Sequence, residues 1–524
     1  MTYTTERWRE DKACGNLGNT HHSLGDLTTA TDYLKLILKT AKELGDRSME
    51  LDAYDNLGDA HHNLGDFGTA MDYYTRYLNI ARDLGERSGE GKAYGKLGIT
   101  HDRLGDFKPA IDYHERHLKI ARELGERSGE GHAYCSLGIA YFRLGNLKTA
   151  IDYHERHLKI SKELGNRSGE GKAYANLGNA HLSLGDFRTA TDYYTSSLKI
   201  AKELGDRPEE GKSYFSLGNV HRSLGDFKTA IDYHERYLNI ARELGERSGE
   251  GHAVGSLGIA HFRLGNLKTA IDYHERHLKI SKELGNRSGE GKAYANLGNT
   301  HLSQGDFRTA IDYYTRSLKI AKEVGDRSQE GKSYGNLGNV HRSLGDFKTA
   351  IDYHERHLKI ARELGERSGE RQAYESLGIA HHTLGDFKTA IDYSKRGLKI
   401  ARELGDRAGE GYAYDNLGNA HQNLGDFKTA IDFHERTLKI AREMGDRSAE
   451  GNAYSSLGNA HHDLGDIKTA IDYHERHLKI AREVGDRSGE GKGYANLGNV
   501  HHNLGDFKTA IYYHESHLKI ARTG

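Results

Sequence analysis

Apolar and small residues return along this chain at spacings of three and four, and a glycine punctuates them every twenty residues. Gly91 to Glu130 shows the pattern once, as GKAYGKLGITHDRLGDFKPAIDYHERHLKIARELGERSGE. In its first half Tyr94, Leu97, Gly98, His101 and Leu104 fall on one face of an α-helix. Gly105 ends that helix, because glycine accepts the left-handed conformation that closes one. Asp106 then offers an N-cap for the next helix. In the second half Phe107, Ala110, Ile111, His114, Leu118 and Ala121 share a face, and Gly125 stops the run. Glu126 and Ser128 both offer a cap for the helix that follows. No stretch alternates apolar and polar residues with a period of two, so the expected class is all-α with essentially no strand. The two prolines agree with these boundaries: Pro109 and Pro208 each fall in the first turn of an expected helix, where a missing N–H does no harm.

The forty-residue unit recurs without a slip. Copies start at Asp11, Leu51, Gly91, Gly131, Gly171, Gly211, Gly251, Gly291, Gly331, Arg371, Gly411, Gly451 and Gly491, and the last stops at Gly524. Residues 1–10 are a short lead-in, and residues 11–524 form a single array. Each unit is too small to bury a core alone, so its stability must come from its neighbours. Residues 131–250 and 251–370 differ at about fourteen positions, which points to duplication of a three-unit block. Gly98 and Ala110 sit where two antiparallel helices should cross closely. A helical glycine costs about 1 kcal/mol of propensity, so its return in every copy implies a close approach. Pairs such as Asp112/Arg116 and Glu115/Lys119 read as a solvated outer face.

Composition narrows the functional classes. The 36% hydrophobic content and mean hydropathy of -0.79 would suit a disordered chain, but the strict helical period argues against one. The formal net charge is -1 with acids and bases interleaved, which disfavours nucleic acid as a partner. MTYTTERWRE has no apolar run of a signal peptide, and no stretch is long and apolar enough to insert in a membrane. Cys14 and Cys135 lie in distant units and suggest a reducing, cytoplasmic setting.

Candidate chemistry adds little. The 33 histidines fall at five positions of the unit, chiefly the eleventh (His101, His181) and twenty-fourth (His114, His234). They read as flat, partly buried packing residues. Buried and neutral, those two sets would make the array acid-sensitive, with His181, His221, His301 and His341 as the residues to test. HERH lacks the spacing and the third ligand of a zinc site, so no metal is expected. GDRPEEGKS (Gly205 to Ser213) and GDRSQEGKS (Gly325 to Ser333) are near misses for a phosphate loop: the glycines are one residue too far apart and no strand precedes them. Serines, histidines and acids repeat equally in every copy, whereas a catalytic constellation must be unique. The expectation is a non-enzymatic chain without cofactor.

Tyr94-x-x-Leu97-Gly98-x-x-His101 followed by Ala110-x-x-x-His114 resembles the tetratricopeptide repeat (TPR) pattern W-x-x-L-G-x-x-Y…A-x-x-x-F. The usual proline after the second helix is absent, and six extra residues lengthen the unit. The unit's consensus, KIARELGDRSGEGKAYGNLGN, is similar to the long TPR units of the Pins/LGN group of G-protein-signalling modulators. The GoLoco motifs that follow the repeats in that group are absent from this chain, so their activity on G proteins does not carry over. The resemblance implies a right-handed superhelix of about thirteen antiparallel helix pairs. Such arrays normally end on a polar capping helix, and its lack here suggests a piece of a longer chain or an end covered by another domain or subunit.

The resemblance also places positions 2, 5, 9, 12 and 13 of each unit's first helix on a concave groove, with position 6 beside them. Paired asparagines there can offer donor and acceptor to an extended main chain, or else only bridge neighbouring helices. The candidate groove residues are Lys172, Asn176, Asn179, Lys212, Asn219, Arg222, Lys292, Asn296, Asn299, Lys332, Asn336, Asn339 and Arg342. Units 3 to 9 carry basic residues at these positions with only Asp102 opposing them, so the expected partner is a protein presenting an extended acidic segment. The implied role is a scaffold or adaptor, at the cell cortex or in G-protein-linked signalling. The alternative is the sensor region of a larger signalling protein or enzyme.

Overall fold

A computed structural model describes residues 27–523. Among the described residues there are twenty-five helices and no strand. They begin with Leu27–Leu44, the second helix of the first unit, and continue as twelve helix pairs such as Arg87–Leu104 with Phe107–Leu124. The lead-in and the first helix expected from Asp11 lie outside the described residues. The chain divides into two compact bodies, Met1–Ala260 and His261–Gly524. Within each, a helix packs on the helices before and after it in sequence. This is the layout of an α-solenoid.

Each first helix starts four residues ahead of the repeat boundary, at Arg87 rather than Gly91. That settles the choice of cap. The N-cap is the thirty-sixth position: Asp46 accepts from the Met49 N–H, Asn166 from Gly169 and Asp206 from Glu209. Where the same position is glutamate, at Glu86, Glu126 and Glu366, no side-chain bond forms, because the longer side chain does not fold back on the first turn. Glu366→Asp should therefore raise stability by about 1 kcal/mol, read as a higher midpoint in thermal unfolding. At the second helices, Asp66 and Asp186 accept from the N–H of Thr69 and Thr189. Asp106 makes no such bond, since Pro109 takes the place of that threonine and has no N–H. Gly105 and Gly125 close their helices at φ of +84° and +68°.

The core is built between successive pairs. Leu118 and Ile160 bury against Ala133, Tyr134 and Leu137, and Leu438 and Ile480 do the same against Ala453, Tyr454 and Leu457. Leu104, expected on the apolar face, lies in the last turn and is exposed. One buried charge was not visible in the sequence. Glu130 is buried, and its carboxylate is held by Arg122 from the preceding helix pair and by Arg127, which reaches on to Glu163 at the end of the second helix of its own pair. The same ladder recurs at Arg447, which binds Glu450 and Glu483. Burial opposes ionisation of Glu130, but the two guanidinium groups win and hold its carboxyl below the usual range.

The two main histidine positions have different environments, which corrects the expectation that they behave alike. Histidines at the twenty-fourth position are buried in every unit but the last, where His514 is exposed: His114, His234, His354 and His434 are 0% exposed. Those at the eleventh are only half-buried. Their rings lie on a tyrosine of the partner helix, His101 on Tyr113 at 5.3 Å. Their Nδ1 faces the next N-cap carboxylate, 3.1 Å for His181 to Asp186 and 3.3 Å for His341 to Asp346. His181, His221, His301 and His341 are therefore not enclosed as the rings at the twenty-fourth position are. The eleventh position falls in the final turn of its helix, beside the cap of the next, and is never enclosed.

Candidate functional site

The first helices of Met1–Ala260 line two consecutive hollows. The larger, about 850 Å³, is bordered by Lys92, Lys96, His132, Cys135 and Lys172, with His117 and His157 beneath. The second, about 470 Å³, is bordered by Lys172, Asn176, Asn179, Lys212 and Phe215. Cys135 and Lys172 belong to both. Positions 2, 5, 6 and 9 of successive units thus come together on one surface, and the regular spacing of the helices makes that surface a track.

The candidate residues fare differently along it. Lys172 is exposed, and among the described residues no carboxylate pairs with it. Lys212 is exposed too but lies 2.7 Å from Glu209. Asn176 is half-buried and directs its amide toward the Cys135 sulfur at 3.9 Å. Asn179 accepts a hydrogen bond from the Tyr194 hydroxyl at 2.7 Å, which fixes its carbonyl toward the helix pair and leaves its NH₂ for a ligand. Asn299 accepts from Tyr314 in the same way. Arg222 donates to Asn219 at 3.3 Å. In His261–Gly524 the side chains of Lys292 and Lys332 are exposed, while Asn296, Asn299, Asn336, Asn339 and Arg342 are half-buried.

Acids of the second unit reach the edge of the basic stretch. Lys96 lies 2.5 Å from Asp55 and 2.9 Å from Asp59, both on the preceding first helix. One full repeat plus or minus a few residues of register brings these side chains together, so a lysine can be neutralised by the acids of its predecessor. Asp102 itself faces the buried His114 at 3.0 Å. The track keeps its basic surplus at Lys92 and Lys172, while Lys212 is paired with Glu209.

The floor was not identified in the sequence. His117 and His157, at the twenty-seventh position, lie under the larger hollow, and burial pushes both imidazoles down to about 4. They are neutral near pH 7 and give the track a flat floor. Burial also pushes the Cys135 thiol up. The only sign in the sequence was that this position varies among Ile, His, Tyr, Ser, Thr and Gly while its neighbour, the twenty-eighth, is always leucine.

A family profile described as tetratricopeptide repeat matches residues 11–83, 89–163, 129–203, 170–243, 252–323, 329–403, 370–443, 409–483 and 449–523. The chain belongs to the tetratricopeptide repeat family. Among curated proteins, no sequence matches this TPR chain. Solved structures similar to it include BtubC (BKLC) from P. vanneervenii, with 22% identity, 42% of this chain and 92% of that one covered, and a TM-score of 0.39. Another is a signal transduction ATPase with numerous domains, with a TPR sensor, from Pyrococcus horikoshii: 18% identity, 65% and 53% covered, TM-score 0.49. A third is a Rap protein complexed with competence and sporulation factor, with 15% identity, 68% and 99% covered, and a TM-score of 0.46. No described helix is long and apolar enough to cross a membrane.

Proposed function

We propose that this TPR chain is a non-enzymatic, cytoplasmic scaffold whose first-helix surface binds an extended, acidic segment of a protein partner. The observation that carries the reading is the pair of adjoining hollows in Met1–Ala260, joined at Cys135 and Lys172 and edged by Lys92, Lys172 and Lys212. Their combined length suits several residues of extended chain. Asn176 and Asn179 stand where a peptide backbone would pass, each with an amide to offer. Carboxylates on the partner would gain from the surplus of lysines, with salt-sensitive association. A role with cell-cortex or G-protein-linked adaptors rests on the sequence resemblance to the Pins/LGN group alone.

The probe is an acidic extended peptide, acetyl-(Glu-Ser)₄-amide carrying a fluorophore. Lys172→Glu combined with Lys212→Glu should weaken its binding about tenfold, roughly 1.4 kcal/mol, and flatten the dependence on salt. Unchanged affinity would remove this surface from the site.

A further inference from the structure

Two neighbouring units of His261–Gly524 carry small residues at the twenty-seventh position, Gly397 and Thr437, and they differ in what fills the space beside it. In the unit from Arg371 this position is Gly397, and the space it vacates is filled by the chain's own Arg371. The Arg371 guanidinium lies between two carboxylates, with Nη1 2.8 Å from Glu375 and Nε 3.1 Å from Asp406. Its side chain is only 14% exposed, and a remnant of about 10 Å³ is all that stays open.

In the next unit every part of that arrangement recurs except the arginine. Asp415 stands where Glu375 stood, Asp446 where Asp406 stood, and Thr437 replaces Gly397 with another small side chain. The residue in the place of Arg371 is Gly411, which has no side chain to give. The result is an open pocket of about 200 Å³, walled by Ile440, Ala441, Met444 and Ala453 and edged by Tyr412, Asp415 and Asp446. None of its lining residues is basic. Asp446 spends one oxygen on capping the Ala449 N–H. Among the described residues Asp415 meets neutral donors and an imidazole: Asn419 at 3.1 Å, Ser456 at 3.4 Å and His434 at 3.3 Å.

We infer that this pocket takes an arginine side chain from an extended partner, seated as Arg371 is seated one unit earlier. The aliphatic stem would lie on Ile440, Ala441 and Met444. The planar guanidinium would span Asp415 and Asp446, a geometry that favours arginine over the point charge of lysine. Tyr412, 62% exposed at the rim, offers its face to the same cation. The inference deepens the peptide-scaffold reading, but it uses none of the lysines of Met1–Ala260.

Methionine methyls give a direct readout, because the chain has four methionines and Met444 lines the pocket. The full chain, labelled with ¹³C-methyl methionine, would be titrated with acetyl-Gly-Ser-Arg-Ser-Gly-amide. The Met444 signal should move while those of Met49 and Met71 stay in place. The citrulline peptide, an uncharged isostere, should bind about tenfold more weakly. Asp415→Asn should weaken the arginine peptide severalfold. Gly411→Arg should abolish the response by filling the pocket from within; a Cβ there meets only Ile440 at 3.4 Å, so the fold tolerates it. Lys172→Glu and Lys212→Glu should leave the response unchanged, which separates this site from the acidic-peptide track. A still Met444 signal, equal binding of arginine and citrulline peptides, or a full response in Gly411→Arg would each overturn the inference.

Discussion

Acidification from about pH 7 to 5 should destabilise this protein strongly, and His234→Tyr with His354→Tyr should blunt the loss. Burial is the first cause that pushes His234 and His354 down to about 4; Arg222 adds to it for the former, His357 and Arg342 for the latter. His154, His274 and His474 are shifted the same way, again by burial first. An unfolded histidine titrates near 6.5. A buried one with a lower pKa stays neutral while the unfolded chain takes up protons, so falling pH favours unfolding. Stability is full above about pH 7, declines below 6.5, and the loss from these groups levels off only below about 4. At about pH 5 each histidine should cost roughly 2 kcal/mol. Tyrosine is the template substitution, because Tyr194 and Tyr314 occupy the same position and donate to Asn179 and Asn299. Asn219, which also accepts from Arg222, and Asn339 stand at the matching places to accept from the two new hydroxyls. Urea unfolding at a series of pH values measures the effect. Parallel pH profiles for parent and variant would show that these rings are not enclosed.

The second large effect is steric. Gly338 lies against the ring of His354, and a Cβ placed on it would come within 2.5 Å of that ring. Both groups are buried, so neither can yield. Gly338→Ala should cost about 2–3 kcal/mol even though alanine is the better helix former by about 1 kcal/mol. Gly378 makes the contrast, since its partner is Ser394 and the nearest approach is 3.1 Å. Gly378→Ala should be close to neutral. Adding His354→Ser to Gly338→Ala should recover most of the loss, because the pair then copies Gly378 and Ser394. Thermal unfolding of these variants beside the parent tests the contact; equal costs at Gly338 and Gly378 would contradict it.

These contacts show what the sequence could reveal. The helix pairs, their glycine stops and the burial of Gly98 and Ala110 follow from a pattern carried within forty residues. Helix starts were harder to place, because Glu126 and Ser128 are both plausible caps and only geometry separates Asp46, which bonds the first turn, from Glu86, which does not. The histidines were misjudged because the eleventh and twenty-fourth positions look alike in sequence. His181 stops beside Asp186 in a final turn, while His354 is enclosed mid-helix. The sequence places positions 2, 5, 6 and 9 on one face, and they do line common hollows, but the charge of that face was not legible. Lys96 is neutralised by Asp55 and Asp59, about one full unit away, and no reading of a single copy reveals that register. The arginine-shaped pocket needs still more: two successive units, the side chain that fills one and the glycine that leaves the other open.

The central claim is that an acidic extended segment lies along the hollows shared by Cys135 and Lys172. With Cys14→Ser, Cys135 is the only thiol in the chain. The most direct measurement is its alkylation rate with and without saturating acetyl-(Glu-Ser)₄-amide. The account predicts that the bound peptide slows alkylation in proportion to occupancy, and that Lys172→Glu abolishes the protection. Alkylation at the full rate under saturating peptide would contradict it.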